Sequence, residues 1–152
     1  MKNKKKREKA TKGGKLLVEK AGLAMKNGFH LEAAWLLSLA MERKLKKLIA
    51  WSGDRNPGAG FTLEQSVKRI KRLCLPSAGT ELAVHVTVDL IDRIRSWKNQ
   101  RNDILRDIPN VHVSQARLER LAGEGVKLYR ELNQASKSMK VKKPVPGWKS
   151  PA

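Results

Sequence analysis

The chain has 152 residues, 33 Lys and Arg against 14 Asp and Glu, a formal net charge of +19 and a single cysteine, Cys74. That length suits one domain with tails, large enough for a real core. One cysteine excludes an intramolecular disulfide, and no apolar run approaches the roughly 20 residues that span a bilayer.

The charge is spread along the chain. Residues 1–12 carry seven basic and one acidic side chain, and residues 137–152 carry five basic and no acidic ones, which leaves +8 on residues 13–136. A domain with that excess favours a polyanionic partner: RNA, DNA or an anionic membrane surface. The alternative is a basic domain whose charge is merely solvated. The N-terminus has the charge of a signal-peptide n-region but no apolar segment or cleavage site after it, so the expected location is cytoplasmic. Such an arm also fits a nuclear import signal.

Residues 1–12 read as a disordered basic arm, either a phosphate-binding extension or a solubilising tail. Gly13-Gly14 open a domain expected over residues 13–139. A first helix is predicted from about Lys15 to Lys26, with Leu16, Leu17, Ala21 and Ala24 inward, and Asn27-Gly28 stop it. The second, from about Leu31 to Ser52, carries Ala34, Leu37, Met41, Leu45 and Leu48 at spacings of three and four. Trp35, Leu39 and Ile49 widen that stripe, which marks the central helix of a bundle. Glu42 has two readings: a surface partner of Lys46 four residues on, or an inward carboxylate paired with Arg101.

Gly53 to Phe61 is a Gly- and Pro-rich loop. Thr62-Leu63-Glu64-Gln65 has capping-box spacing, and a third helix to about Leu73 sets Leu63, Val67, Ile70 and Leu73 on one side. Lys68, Arg69, Lys71 and Arg72 form the rest, a basic face that either follows phosphates or is solvated. A fourth helix is predicted from Thr80 or Glu81 to about Asp107, although Val84 to Val88 alternate like a strand. Its stripe is Leu90, Ile94, Trp97, Ile104 and Ile108, and Arg101 falls on it, where a guanidinium is costly to bury unless paired or facing a wet cleft. After Pro109-Asn110, Ser114 caps a fifth helix to about Met139, with Leu118, Leu121, Leu128, Leu132, Ala135 and Met139 inward. Gly123 and Gly125 weaken its middle or allow close packing. Residues 140–152, with three prolines and Trp148, read as an extended or disordered tail. Trp148 either stacks on a base or partner or folds back on the domain.

No phosphate-cradling glycine loop, dinucleotide fingerprint, HExxH or paired-cysteine motif occurs, and Gly58-Ala59-Gly60 is too short to hold a nucleotide. His85 has no second ligand at metal spacing. No cofactor and no metal are expected. The fold class is all-α, a four- to five-helix up-down bundle with disordered basic tails.

Two segments carry a resemblance. Leu31 to Ile49 (LEAAWLLSLAMERKLKKLI) is similar to a long helix bearing an inward acidic residue followed by Leu. Ile94 to Leu105 (IRSWKNQRNDIL) is similar to a helix presenting an Arg-polar pair. On these segments the chain resembles the HEPN superfamily, small α-helical domains of toxin, phage-defence and RNA-processing systems, over roughly residues 15–136. The resemblance implies a HEPN-like bundle, RNA as partner in preference to DNA, and a homodimer or an antitoxin-like protein partner. Active members are metal-independent RNases in which Arg and His from two chains line one cleft. Carried over, Arg101 holds a phosphate through forked hydrogen bonds and Asn102 positions the site. The family places a His four to six residues after the Arg; here that stretch ends in Arg106 and Asp107, and the nearest histidine is His112. The expectation is therefore a catalytically impaired RNA binder of a defence or toxin–antitoxin system, with Lys68, Arg69, Lys71, Arg72, Arg106 and Trp148 against the RNA. The alternatives are an endoribonuclease using Arg101 with His112, and a basic structural component of a ribonucleoprotein or phage assembly.

Overall fold

The computed structural model describes residues 2–52, 62–75, 79 and 81–141, with side chains between residues 14 and 139. The glycine-rich loop with Gly58-Ala59-Gly60, the expected helix start at Thr80 and the tail with Trp148 lie outside the described residues. The described residues form six helices and no strand: α1 Lys2–Lys26, α2 His30–Trp51, α3 Leu63–Leu73, α4 Leu82–His85, α5 Val88–Asp107 and α6 Gln115–Val141. Helix α2 is central, packed on α1, α3 and α6, while α5 packs on α3 and α6.

Helix α1 begins at Lys2 rather than near Lys15, so the expected boundary between a disordered arm and the domain falls inside a helix. Lysine and arginine are good helix formers, and three glycines costing about 1 kcal/mol each are absorbed by a helix of this length. The helix stops where expected. Gly28 has a φ of +81°, its N–H donates to the Met25 carbonyl at 3.1 Å, and the Phe29 N–H reaches back to the Ala24 carbonyl at 2.8 Å. This is the paired closure of a Schellman end, and glycine takes its left-handed position without strain.

The capping box of α3 is formed in both directions: the Gln65 N–H donates to Thr62 Oγ1 at 3.3 Å, and the Thr62 N–H donates to Gln65 Oε1 at 2.9 Å. Ser114 caps α6 by accepting from the Arg117 N–H at 3.2 Å. The single helix expected from residue 80 to 107 is instead two. Val86 is extended, with φ −113° and ψ 117°, and Thr87 caps a new helix by accepting from the Leu90 N–H at 3.2 Å. Val84, Val86, Thr87 and Val88 each lose side-chain freedom in a helix. Thr87 also offers its own hydroxyl to the backbone, so the Leu90 N–H that the break deprives of a helical acceptor is still satisfied. The count is thus six helices rather than four or five.

The core follows the α2 stripe: Ala34, Leu37, Met41, Leu45, Leu48 and Ile49 are all buried, as are Leu90, Ile94, Trp97 and Ile104 of α5. Three apolar residues expected inward are not: Leu16 is 49% exposed, Trp35 54% and Ile108 41%. Leu16 and Trp35 sit at the rims of their stripes, and Ile108 lies just past the end of α5. Trp97 holds the centre of the α5–α6 contact, its indole Nε1 donating to the Leu121 carbonyl at 2.8 Å. Gly125 makes this approach fit, because a Cβ there would meet Trp97 Cζ2 at 2.7 Å and Leu37 Cδ1 at 3.1 Å. Helix α6 runs unbroken through Gly123 and Gly125, and only Gly125 serves packing; nothing lies within 4 Å of a Cβ at Gly123.

Two predictions follow from this packing. Gly125→Ala should destabilise the protein by up to about 2 kcal/mol, an overpacking cost of about 1–3 kcal/mol less the roughly 1 kcal/mol gained in helix propensity. Gly123→Ala should stabilise by up to about 1 kcal/mol. Urea unfolding of the two variants decides; equal effects would show that Gly125 is not a packing requirement.

Burial of Cys74, 3% exposed, pushes its thiol up from 9.0 to about 11. Below pH 9 the thiol is neutral in both folded and unfolded chains, and the stabilisation is fully present. As pH rises toward 11 the unfolded chain loses the proton first, so about 2–3 kcal/mol of stability drains away. The unfolding free energy of wild type minus that of Cys74→Ala should fall across this window; a difference that stays level contradicts the assignment.

Candidate functional site around Arg101

Arg101 is four residues after Trp97, so the contact that anchors Trp97 also delivers Arg101, one turn on, to the side of α2. Its Nη1 donates to Ser38 Oγ, and its Nη2 donates to Asn102 Oδ1 at 3.0 Å. The guanidinium carbon lies 5.7 Å from the centroid of the Trp35 ring, within cation–π range. Arg101 Nε is buried and has no hydrogen-bond partner. Burial pulls the Arg101 pKa down from its ordinary value, and the Glu42 carboxylate opposes that shift. The group remains a cation at any physiological pH.

Arg101 and Trp35 both line two cavities. One, of about 340 Å³, is lined by Leu31, Glu32, Trp35, Arg101 and Leu105. The other, of about 210 Å³, is lined by Trp35, Ser38, Leu39, Glu42, Thr62, Leu63 and Arg101. The site therefore offers an anion the charge of a half-buried guanidinium, and offers a planar group a half-exposed indole face.

The sequence-predicted residues divide clearly. Asn102 is exposed and beside Arg101, bonded to it. His112 is exposed in the connection between α5 and α6 and lines neither cavity. Between Arg101 and Ile108 the helix advances about 10 Å before the chain turns, which carries the following segment past the Arg101 turn. The structure does not bring His112 to Arg101. The expected Glu42–Arg101 ion pair is also not formed. Glu42 Oε1 pairs with Lys46 Nζ at 3.0 Å, and no carboxylate lies within 4.0 Å of Arg101 among the described residues. A lysine one turn along the same helix is the nearer partner, and Ser38 takes the guanidinium.

The basic face of α3 is partly neutralised. Lys71 pairs with Asp92 at 2.8 Å, Lys68 stands 4.0 Å from Glu64, and Arg69 is half-buried. Arg106 pairs with Asp103 at 2.6 Å. Arg72 is exposed and has no acidic partner among the described residues. Trp148 lies outside the described residues.

Sequence reasoning missed the residues that set Arg101's surroundings. Lys98 is 7% exposed and ion-paired with Glu64, which also lies 3.5 Å from Arg95. Burial lowers the Lys98 pKa, and the charge of Arg101 lowers it further. The available signals were polar residues on apolar stripes: Ser38 beside Leu37, and Lys98 beside Trp97. Among the described residues no group of three or more His, Cys, Asp or Glu could hold a metal ion.

The sites of the two cations should respond differently to mutation. Glu64→Gln removes the counter-charge of Lys98 and should cost about 2–3 kcal/mol, reduced from the fully buried case because Glu64 is one-third exposed. Arg101→Leu removes a guanidinium held by neutral groups beside an apolar cavity and should change stability by less than about 1 kcal/mol. Chemical denaturation measures both. A loss of several kcal/mol in Arg101→Leu would make Arg101 a structural residue.

Comparison of the chain with protein-family models, with curated proteins and with solved structures returns no match.

Proposed function

We propose that the protein is a HEPN-like helical RNA-binding protein, catalytically impaired, and that it works in a defence or toxin–antitoxin setting. The observation that carries RNA binding is the fate of its acidic side chains. Asp89, Asp92, Asp103 and Asp107 of α5, together with Glu42, Glu64 and Glu131, are engaged in ion pairs. Lys15, Lys20, Lys26, Arg43, Arg72, Arg120, Lys127, Arg130 and Lys137 are exposed with no acidic partner among the described residues. Against these nine exposed cations stand five exposed acids without an ion pair among the described residues, Glu19, Glu32, Glu81, Glu119 and Glu124, so the surface keeps a positive excess. A display of this kind releases counterions from a phosphate backbone on contact, which is the main source of sequence-independent affinity for nucleic acid. The HEPN likeness rests on the Arg101-Asn102 pair and the long α2, and impaired catalysis on the absence of an imidazole from the cavities of Arg101, which forfeits about 10²–10⁴-fold of general acid–base catalysis.

The test is fluorescence anisotropy of the full chain with a single-stranded RNA. Affinity should fall about 300-fold or more from about 50 to about 200 mM salt if six or more phosphates of a single strand are contacted. No binding at low salt, or binding indifferent to salt, rejects the reading. Incubation of the same RNA in EDTA should leave it intact. Cleavage by wild type that disappears in Arg101→Ala and His112→Ala would replace a binder with a metal-independent ribonuclease.

A further inference from the structure

A groove of about 540 Å³ lies on a different part of the molecule, between α1, α2 and α6. Five basic side chains line it: Lys15 of α1, Arg43, Lys44 and Lys47 of α2, and Lys137 of α6. The only acid among its lining residues is Glu19. Its floor is small, with Gly14 and Ala40, and Tyr129 lies in its wall. Lys15, Arg43 and Lys137 are exposed and have no acidic partner among the described residues. Residues 2–12, with seven basic side chains and one acidic, belong to the same helix as Lys15 and precede it.

Helix geometry makes this a track. Arg43 and Lys47 are one turn apart on α2, about 6 Å, and Tyr129 and Lys137 are two turns apart on α6, about 12 Å, so cationic and aromatic side chains are both spread along the groove. A cationic trough with an aromatic ring in its wall is the combination by which proteins hold single strands: charge follows the phosphates and the ring stacks a base. A duplex keeps its bases stacked inside and has no use for the ring.

We propose that this groove is a single-strand nucleic-acid site, with Arg43, Lys47, Lys15 and Lys137 on successive phosphates and Tyr129 against a base. The site is separate from Arg101. The inference rests on the RNA-binding reading above and names the surface that does the binding.

The experiment compares two double charge reversals in the full chain, Arg43→Glu with Lys137→Glu in the groove, and Arg120→Glu with Lys127→Glu outside it. Both pairs are exposed and lower the net charge equally, and circular dichroism checks that each variant folds. The probes are RNA and DNA single strands of about 12 nucleotides. The groove variant should lose at least about tenfold more affinity than the outer variant, and its log–log salt slope should become shallower by about 1.4, the share of two phosphates on a single strand. Tyr129→Leu, which keeps the apolar packing, should lose about tenfold by removal of one stacked base. Equal losses in the two double variants with an unchanged response to Tyr129→Leu would overturn the groove while leaving RNA binding intact. A wild type that binds neither strand at low salt, whether or not it binds phosphatidylserine vesicles, overturns the RNA-binding reading and the groove with it.

Discussion

The structure depends on one buried contact, the indole of Trp97 donating to the Leu121 carbonyl over the bare backbone of Gly125. Leu37 of α2 closes on the same spot. Three helices thus meet at one point, and the register of α5 against both neighbours is set there. A hydrogen bond to a carbonyl within a helix is specific in a way that apolar packing is not, because sliding α5 by one residue would bury the indole N–H without an acceptor. One turn beyond that point the same register lays Arg101 against Ser38, the residue after Leu37. The position of the candidate site is a consequence of the core.

Two cations stand three residues apart on this helix and are treated differently. Lys98 is almost fully enclosed and has Glu64 as counter-ion. Arg101 is half-buried and has a hydroxyl, an amide and an indole face, all neutral. Arginine tolerates that because its charge is spread over a plane that stacks well and is weakly hydrated; lysine does not. Each cation disfavours the other, and the energy is tolerated because α5 sits beside the N-terminal turn of α3, where Glu64 also favours the helix dipole.

Features decided within a few residues were legible in the sequence. The α2 stripe, the capping box at Thr62, the Ser114 cap and the glycine stop of α1 all depend on spacing along one helix, and all are present. Features decided by competition between near-equal local states were not. The break at Val86-Thr87 sets β-branched residues with a capping hydroxyl against a continuing helix, and alternation in the sequence hinted at it without deciding it. Glu42 had Lys46 and Arg101 as rival partners, and only the placement of α5 against α2 shows that Ser38 takes the guanidinium. Trp35 counted as core by periodicity because its position at the rim, where α5 does not cover it, is a tertiary fact. The groove joins Lys15, Arg43 and Lys137, which are remote in sequence and share no motif.

The distribution of acids has a consequence for how the molecule meets anything at a distance. Helix α5 carries five basic and four acidic side chains and is close to neutral, whereas α1 carries ten basic and two acidic. The protein thus carries its positive charge unevenly, far more of it on α1 than on α5. In the field of a polyanion it experiences a torque as well as an attraction, and it turns its α1 side forward before contact is made. Collisions are then no longer random in orientation, and the fraction that are productive rises as salt is lowered, because the aligning torque acts only within about a Debye length, roughly 10 Å at 0.1 M.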